Sequence, residues 1–121
     1  MPHVSSHQME IILYVRDMNS EVRFYHDVLG LNLKYPQGLE DYSKEMWVEF
    51  VTGTTTLALH GGADDTPDTL HEIIFRVENV ARAREMIIAA GIKMSDIREL
   101  EDGSPIAAGR DPAGHRFSIR A

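Results

Sequence analysis

His60 closes the stretch TTTLALHGG (54–62), and two glutamates, Glu10 and Glu72, each stand directly before a pair of isoleucines. Imidazole and carboxylate groups carry proton transfer near neutral pH and hold divalent metals. On a strand, side chains alternate faces, so Thr56, Ala58 and His60 share one side and Leu57 and Leu59 the other. The leucines face a core. His60 is then a metal ligand, a hydrogen-bond donor or general base toward a bound molecule, or a strand-end histidine beside a Gly-Gly turn.

The elements that must position these residues repeat. MEIILYV is an alternating strand and DMNS supplies capping residues, with Asn19 or Ser20 as the N-cap. EVRFYHDVLG carries Val22, Tyr25 and Leu29 as an apolar stripe at helical spacing, closed by Gly30. LNLKY, MWVEFV and TTTLALH follow as strands, the last two joined through Thr52-Gly53. After the loop HGGADDTPDT, LHEIIFRV is a strand and ENVARAREMIIAAG a helix ending at Gly91. IKMSDIREL, PIAAGR and HRFSIRA then read as three more strands. The pattern is βαβββ twice: module one at about 8–61, a linker at about 62–69 and module two at about 70–121, within one 121-residue domain. MEIILYVRDM overlays HEIIFRVENV at an offset of 62, VLGLNL overlays AAGIKM at 61, and LALH overlays FSIR at 60. The shrinking offset reads as small differences in loop length.

One helix covers one face of each sheet. Ile11, Leu13 and Val15 pack beneath the first helix, and Ile73, Phe75 and Val77 beneath the second. Glu10, Ile12, Tyr14, Glu72, Ile74 and Arg76 point the other way. The expected fold is α+β, two paired βαβββ modules forming a curved sheet around a concave cavity with helices outside. Glu10, His60, Glu72 and Arg120 would line that cavity, joined by Trp47 and Glu49. Two carboxylates brought close together repel, so a cation is expected beside them, either a metal ion or an arginine such as Arg76 or Arg120.

Composition narrows the chemistry. Without cysteine there are no disulfides, thiolate zinc sites or cysteine nucleophile, which suits a reducing cytoplasm. No apolar run approaches a membrane span and MPHVSSHQ lacks a signal-like core. A net charge of −7 with scattered Lys and Arg opposes phosphate-backbone binding, so no nucleic-acid or membrane partner is expected. His26, His71 and His115 read as surface, strand-start and turn residues, and His3 and His7 fall in the N-terminal segment. The acidic ADDTPD run reads as a solvated connection.

The opening V-R-D-M-N-x-E-x-x-x-F-Y-x-x-V-L-G-L (15–31), the TLALHGG strand and the closing DPAGHRFSI (111–119) resemble the vicinal oxygen chelate superfamily. That superfamily includes glyoxalase I, extradiol dioxygenases, fosfomycin-resistance transferases, methylmalonyl-CoA epimerase and bleomycin-resistance proteins. The resemblance implies a metal held by one residue from the first and last strand of each half, here Glu10, Ala58, Glu72 and Ser118. Alanine cannot coordinate a metal and serine is a poor divalent ligand. A shifted set of Glu10, His60 and Glu72 would suit zinc, manganese, iron or nickel, since His60 lies about 6.5–7 Å beyond Ala58 along the strand. One expectation is therefore a metal-dependent lyase, isomerase or transferase acting on a small molecule. The other is a metal-free antibiotic- or metabolite-sequestering protein of the bleomycin-resistance type, whose acidic cavity suits a cationic ligand. In both, Trp47, Glu49, Tyr14 and Arg120 contact the small molecule, and the resemblance implies a homodimer.

Overall fold

Alternation in MEIILY produces the strand β1, Met9–Tyr14, with Leu13 buried and Ile12 and Tyr14 exposed. The structure, a computed structural model, describes residues 8–64 and 71–121. His3, His7 and linker residues 65–69 lie outside the described residues. The chain divides into two compact units, residues 1–64 and 65–121.

In the first unit, α1 (Met18–Val22) is followed by a π-helical segment at 23–28. The N-cap is Asp17, not Asn19 or Ser20. Its carboxylate accepts hydrogen bonds from the Ser20 amide at 3.3 Å and the Ser20 hydroxyl at 2.7 Å. Asn19 is used elsewhere: its Nδ2 donates to Asp41 and its Oδ1 accepts from the Tyr42 amide, both at 2.7 Å, tying the following loop to the helix. In the π segment the Leu29 amide donates to the Phe24 carbonyl five residues back, at 2.9 Å. Gly30, at φ +75°, ends the element in the left-handed region where glycine carries no Cβ penalty. Strands β2 (Asn32–Tyr35), β3 (Trp47–Thr52) and β4 (Thr55–His60) complete a sheet of order β1-β4-β3-β2. β1 runs parallel to β4 and the other pairs are antiparallel. Val15, Phe24, Tyr25, Val48, Phe50, Leu57 and Leu59 are buried in the core of this unit.

The second unit repeats the order with β5 (Ile73–Arg76), α2 (Val80–Ala89), β6 (Arg98–Glu99), β7 (Pro105–Arg110) and β8 (Arg116–Arg120). Its sheet runs β5-β8-β7-β6, again with the first and last strands parallel. Asn79 caps α2 through the Arg82 amide at 3.0 Å. Val80, Ile87, Ala107, Phe117 and Ile119 are buried. The strand expected across IKMSDIREL shrinks to Arg98–Glu99 plus a bridge between Met94 and Gly109. Ser95 explains the difference, because its hydroxyl, rather than a backbone carbonyl, accepts from the Ala108 amide at 2.9 Å. Buried Asp111 builds the DPAG turn by accepting from the amides of Ala113 at 3.0 Å and His115 at 2.8 Å. The fold is α+β with two βαβββ-like modules, each a four-stranded mixed sheet with its helix.

Candidate functional site

Strand register in the first unit sets three aromatic rings in one row. Tyr14 on β1 is opposite His60 on β4, and His60 is opposite Trp47 on β3. Cross-strand neighbours on one face lie within reach of each other. The ring centroids are 5.1 Å apart for Tyr14–His60, tilted by 39°, and 6.2 Å apart for Trp47–His60, edge-on at 89°. Tyr14 is 56% exposed, and Trp47 and His60 are half-buried. The next row of the same face is Ile12, Ala58 and Glu49, and the one after it Glu10, Thr56 and Val51. Ile12 and Val51 are exposed, so this sheet face presents apolar and aromatic surface flanked by two carboxylates. His60 Nδ1 lies 2.7 Å from the Gly61 carbonyl oxygen. A carbonyl only accepts, so Nδ1 carries a proton there, and in the Nδ1–H tautomer the accepting lone pair is on Nε2.

The four positions at which the resemblance implies metal ligands are chemically poor. Ala58 is fully buried and offers no donor atom. In the second unit the Ser118 hydroxyl donates to Glu72 Oε2 at 2.6 Å, so these two positions satisfy each other. The shifted set fares no better within the first unit. Glu10 is in register with Thr56 and His60 with Tyr14, four residues apart along parallel strands, or about 13 Å. Those two side chains do not meet on one ion there. Among the described residues no group of three His, Cys, Asp or Glu side chains is arranged to hold a metal ion.

Arg120 is engaged inside its own unit. Its Nη2 donates to Ser104 Oγ at 3.1 Å and Asp102 Oδ2 at 3.4 Å, while its Nε is buried with no hydrogen-bond partner. The Ser104 hydroxyl and amide, and then the Arg120 charge, hold the Asp102 carboxyl below the usual carboxylate range. Neither Arg76 nor Arg120 forms an ion pair with Glu72 among the described residues. The second unit's sheet face, on which Arg76 and Arg120 were expected, gathers further arginines. Register puts Arg116 opposite Arg110, Ser118 opposite Ala108 and Ile74, and Arg120 opposite Arg76 and Ile106, with Arg98 opposite Ile106. That face is rich in arginine. A pocket of about 710 Å³ opens there, lined by Glu72, Gly91, Ile92, Lys93, Ala108, Gly109, Arg110 and Arg116. Of these residues the sequence reading singled out only Glu72 as a site residue.

A family model described as the Glyoxalase/Bleomycin resistance protein/Dioxygenase superfamily matches residues 2–119. No curated protein matches the chain. Among solved structures, the E126Q mutant of the fosfomycin resistance protein FosX from Listeria monocytogenes, complexed with Mn(II) and 1S,2S-dihydroxypropylphosphonic acid, is similar at TM-score 0.78 and 21% identity, covering 98% of this chain and 93% of its own. TnmS3, an antibiotic binding protein from Streptomyces sp. CB03234, is similar at TM-score 0.74 and 17% identity, with 98% of both chains covered. Lactoylglutathione lyase from Agrobacterium tumefaciens is similar at TM-score 0.70 and 23% identity, covering 98% and 95%.

Proposed function

Since the chain belongs to the Glyoxalase/Bleomycin resistance protein/Dioxygenase superfamily, we propose that it binds a small organic molecule, without a resident metal ion, on the aromatic row of its first sheet. The observation that carries this reading is the cross-strand row Tyr14–His60–Trp47. Three rings at 5.1 and 6.2 Å spacing, one of them largely exposed, offer edges and faces to a flat ligand. Glu10 and Glu49 on the same face favour a ligand with a positive or hydrogen-bond-donating rim. His60 Nε2 would accept a hydrogen bond from it. Glu49 and Tyr14 keep the contact roles expected of them, whereas Arg120, held by Asp102 and Ser104, serves the ligand less directly. The antibiotic-binding relative TnmS3 supports binding as the activity. A metal-dependent enzyme is favoured by the Mn(II) complex of the FosX relative. It would need donors that Ala58 and the Ser118–Glu72 pair do not supply.

The chain holds a single tryptophan, so intrinsic fluorescence reports directly on Trp47. Titration with flat cationic aromatic antibiotics should quench or shift that emission saturably, with and without a chelator. Tyr14→Ala should remove about 0.5–1.5 kcal/mol of stacking, raising Kd roughly two- to thirteenfold. Binding that vanishes with chelator and returns with Mn(II) or Zn(II) would overturn the metal-free reading in favour of the enzyme. A saturable signal unmoved by Tyr14→Ala and His60→Ala would remove the aromatic row from the site. The proposal includes a homodimer, which sedimentation equilibrium would check.

A further inference from the structure

We propose that the second unit carries its own binding site for a small-molecule oxyanion, a carboxylate or phosphate group, in the pocket bounded by Lys93, Arg110 and Arg116. This goes beyond the aromatic-row reading and does not depend on it.

The argument begins with the hairpin GRDPAGHR. Its turn pairs Arg110 of β7 directly with Arg116 of β8. Like charges directly opposite each other on adjacent strands destabilise a sheet. In a chain with a net charge of −7, carboxylates are plentiful and could have relieved this pair. The ion pairs found among the described residues, Arg84–Asp96 and Arg120–Asp102, involve neither Arg110 nor Arg116. Lys93 joins the two arginines at the same pocket, whose volume of about 710 Å³ is within the range of small-molecule sites. Three cations against the single carboxylate of Glu72 leave a formal charge of two positive on the lining.

The details suit an oxyanion better than a bare halide. Arg110 Nη1 donates to the Gly114 carbonyl at 2.8 Å, which steadies its guanidinium and leaves its other N–H groups free. A planar guanidinium presents paired donors that match two oxygens of a carboxylate or phosphate. Lys93 would add a mobile point charge. Glu72 Oε2 accepts from Ser118, and its other oxygen would accept from a hydroxyl or amine carried by the anion. Ile92 and Ala108 supply an apolar patch for its carbon skeleton. Gly91, with nothing within 4 Å of where a Cβ would stand, leaves the backbone open beside it.

The test uses the full-length, isotopically labelled chain and two probes, inorganic phosphate and a hydroxy-dicarboxylate, each against sodium chloride at matched ionic strength. Saturable amide shifts should cluster at 91–93, 108–110 and 116, with Kd near about 1 mM or tighter. Preference for phosphate or for the dicarboxylate identifies which oxyanion the site takes. Arg116→Gln should weaken binding about tenfold or more, as expected on losing a charge-assisted hydrogen bond. It should leave thermal stability in chloride equal to or above that of the parent, because the opposed charges are gone. Arg110→Gln and Lys93→Met provide independent variants should one fold poorly. The proposal is overturned by no saturable shift at about ten times the expected Kd, by shifts as large with chloride, or by binding unchanged in all three variants. Trp47 emission plays no part in this readout, so failure here and failure of the aromatic-row reading are separable.

Discussion

Replacing Gly109 with alanine tests how the edge of the second sheet is closed. Gly109 sits on β7 opposite Phe117 and bridges to Met94 on the other side. A methyl group there would lie 2.6 Å from Met94 Sδ, 3.0 Å from the Lys93 carbonyl oxygen and 3.2 Å from Phe117 Cζ. Comfortable contact needs about 3.5–4.0 Å, so all three neighbours must move. Met94 is unbranched and can swing away. The Lys93 carbonyl cannot follow easily, because the next residues are tied to β7 by Ser95 N–Ala108 O at 2.8 Å and Ala108 N–Ser95 Oγ at 2.9 Å. Overpacking of this kind costs about 1–3 kcal/mol. Alanine recovers about 0.4–1 kcal/mol by restricting the unfolded chain. Taking the middle of each range, the net loss is about 1.3 kcal/mol, a fall in Tm of roughly 3–10 °C for a domain near this size. Urea and thermal unfolding followed by circular dichroism would measure it. Met94→Ala added to Gly109→Ala should narrow the deficit caused by the glycine replacement, since it removes the tightest contact. A Gly109→Ala protein as stable as the parent would refute the close approach and the reason given for a glycine at this position.

Other perturbations have definite expected outcomes. Asp17→Ala should cost about 1 kcal/mol at pH 7 by uncapping α1. The Ser20 hydrogen bonds hold the Asp17 carboxyl below its ordinary value, so the cap's contribution is complete above about pH 4 and fades as pH falls through the lower folded value. Urea midpoints of parent and variant should accordingly converge in strong acid. Asp102→Asn should release the Arg120 guanidinium, seen as faster solvent exchange of its side-chain protons than in the parent at the same pH. Exhaustive dialysis against a chelator should leave Tm and ligand-induced fluorescence changes of the parent unchanged, as the proposed metal-free reading requires.

The fold was readable because burial follows alternation along β1 and the core positions repeat between the units, although β4 and β8 also bury Thr56, Ala58 and Ser118 on the other face. Leu13 and Val15 are buried, Ile12 and Tyr14 exposed, and Phe117 and Ile119 repeat the roles of Leu57 and Leu59. The face of each predicted site residue followed from the same alternation. Register did not, because a period of two says which side a residue takes but not which residue of the neighbouring strand stands opposite. Glu10 and His60 were set side by side without that information, whereas register separates them by four residues, and the Tyr14–His60–Trp47 row went unnoticed for the same reason. Arg110 and Arg116 had a visible signal, since they directly flank the DPAGH segment. A scan for histidine and carboxylate passes over such a pair. Ser95 was unreadable for another reason, namely that a hydroxyl replacing a backbone acceptor leaves no trace in hydropathy.

The π-helical segment after α1 explains where the two copies first fall out of step. Asp17 and Asn79 cap their helices at an offset of 62, and Tyr25 and Ile87, each 1% exposed, keep that offset. Gly30 and Gly91 close the helices at 61. The first loss of offset is therefore not in a loop: one surplus residue lies within the four positions 26–29, and the wider hydrogen-bonded ring absorbs it. The copies thus act as an internal length experiment, in which the same architecture tolerates an added residue after the last core contact of the helix. Length is fixed upstream of Tyr25, where each residue has a counterpart at its depth, and is negotiable downstream. For anyone grafting, tagging or shortening this module, positions 26–29 are the place where the chain has already shown that it can be edited.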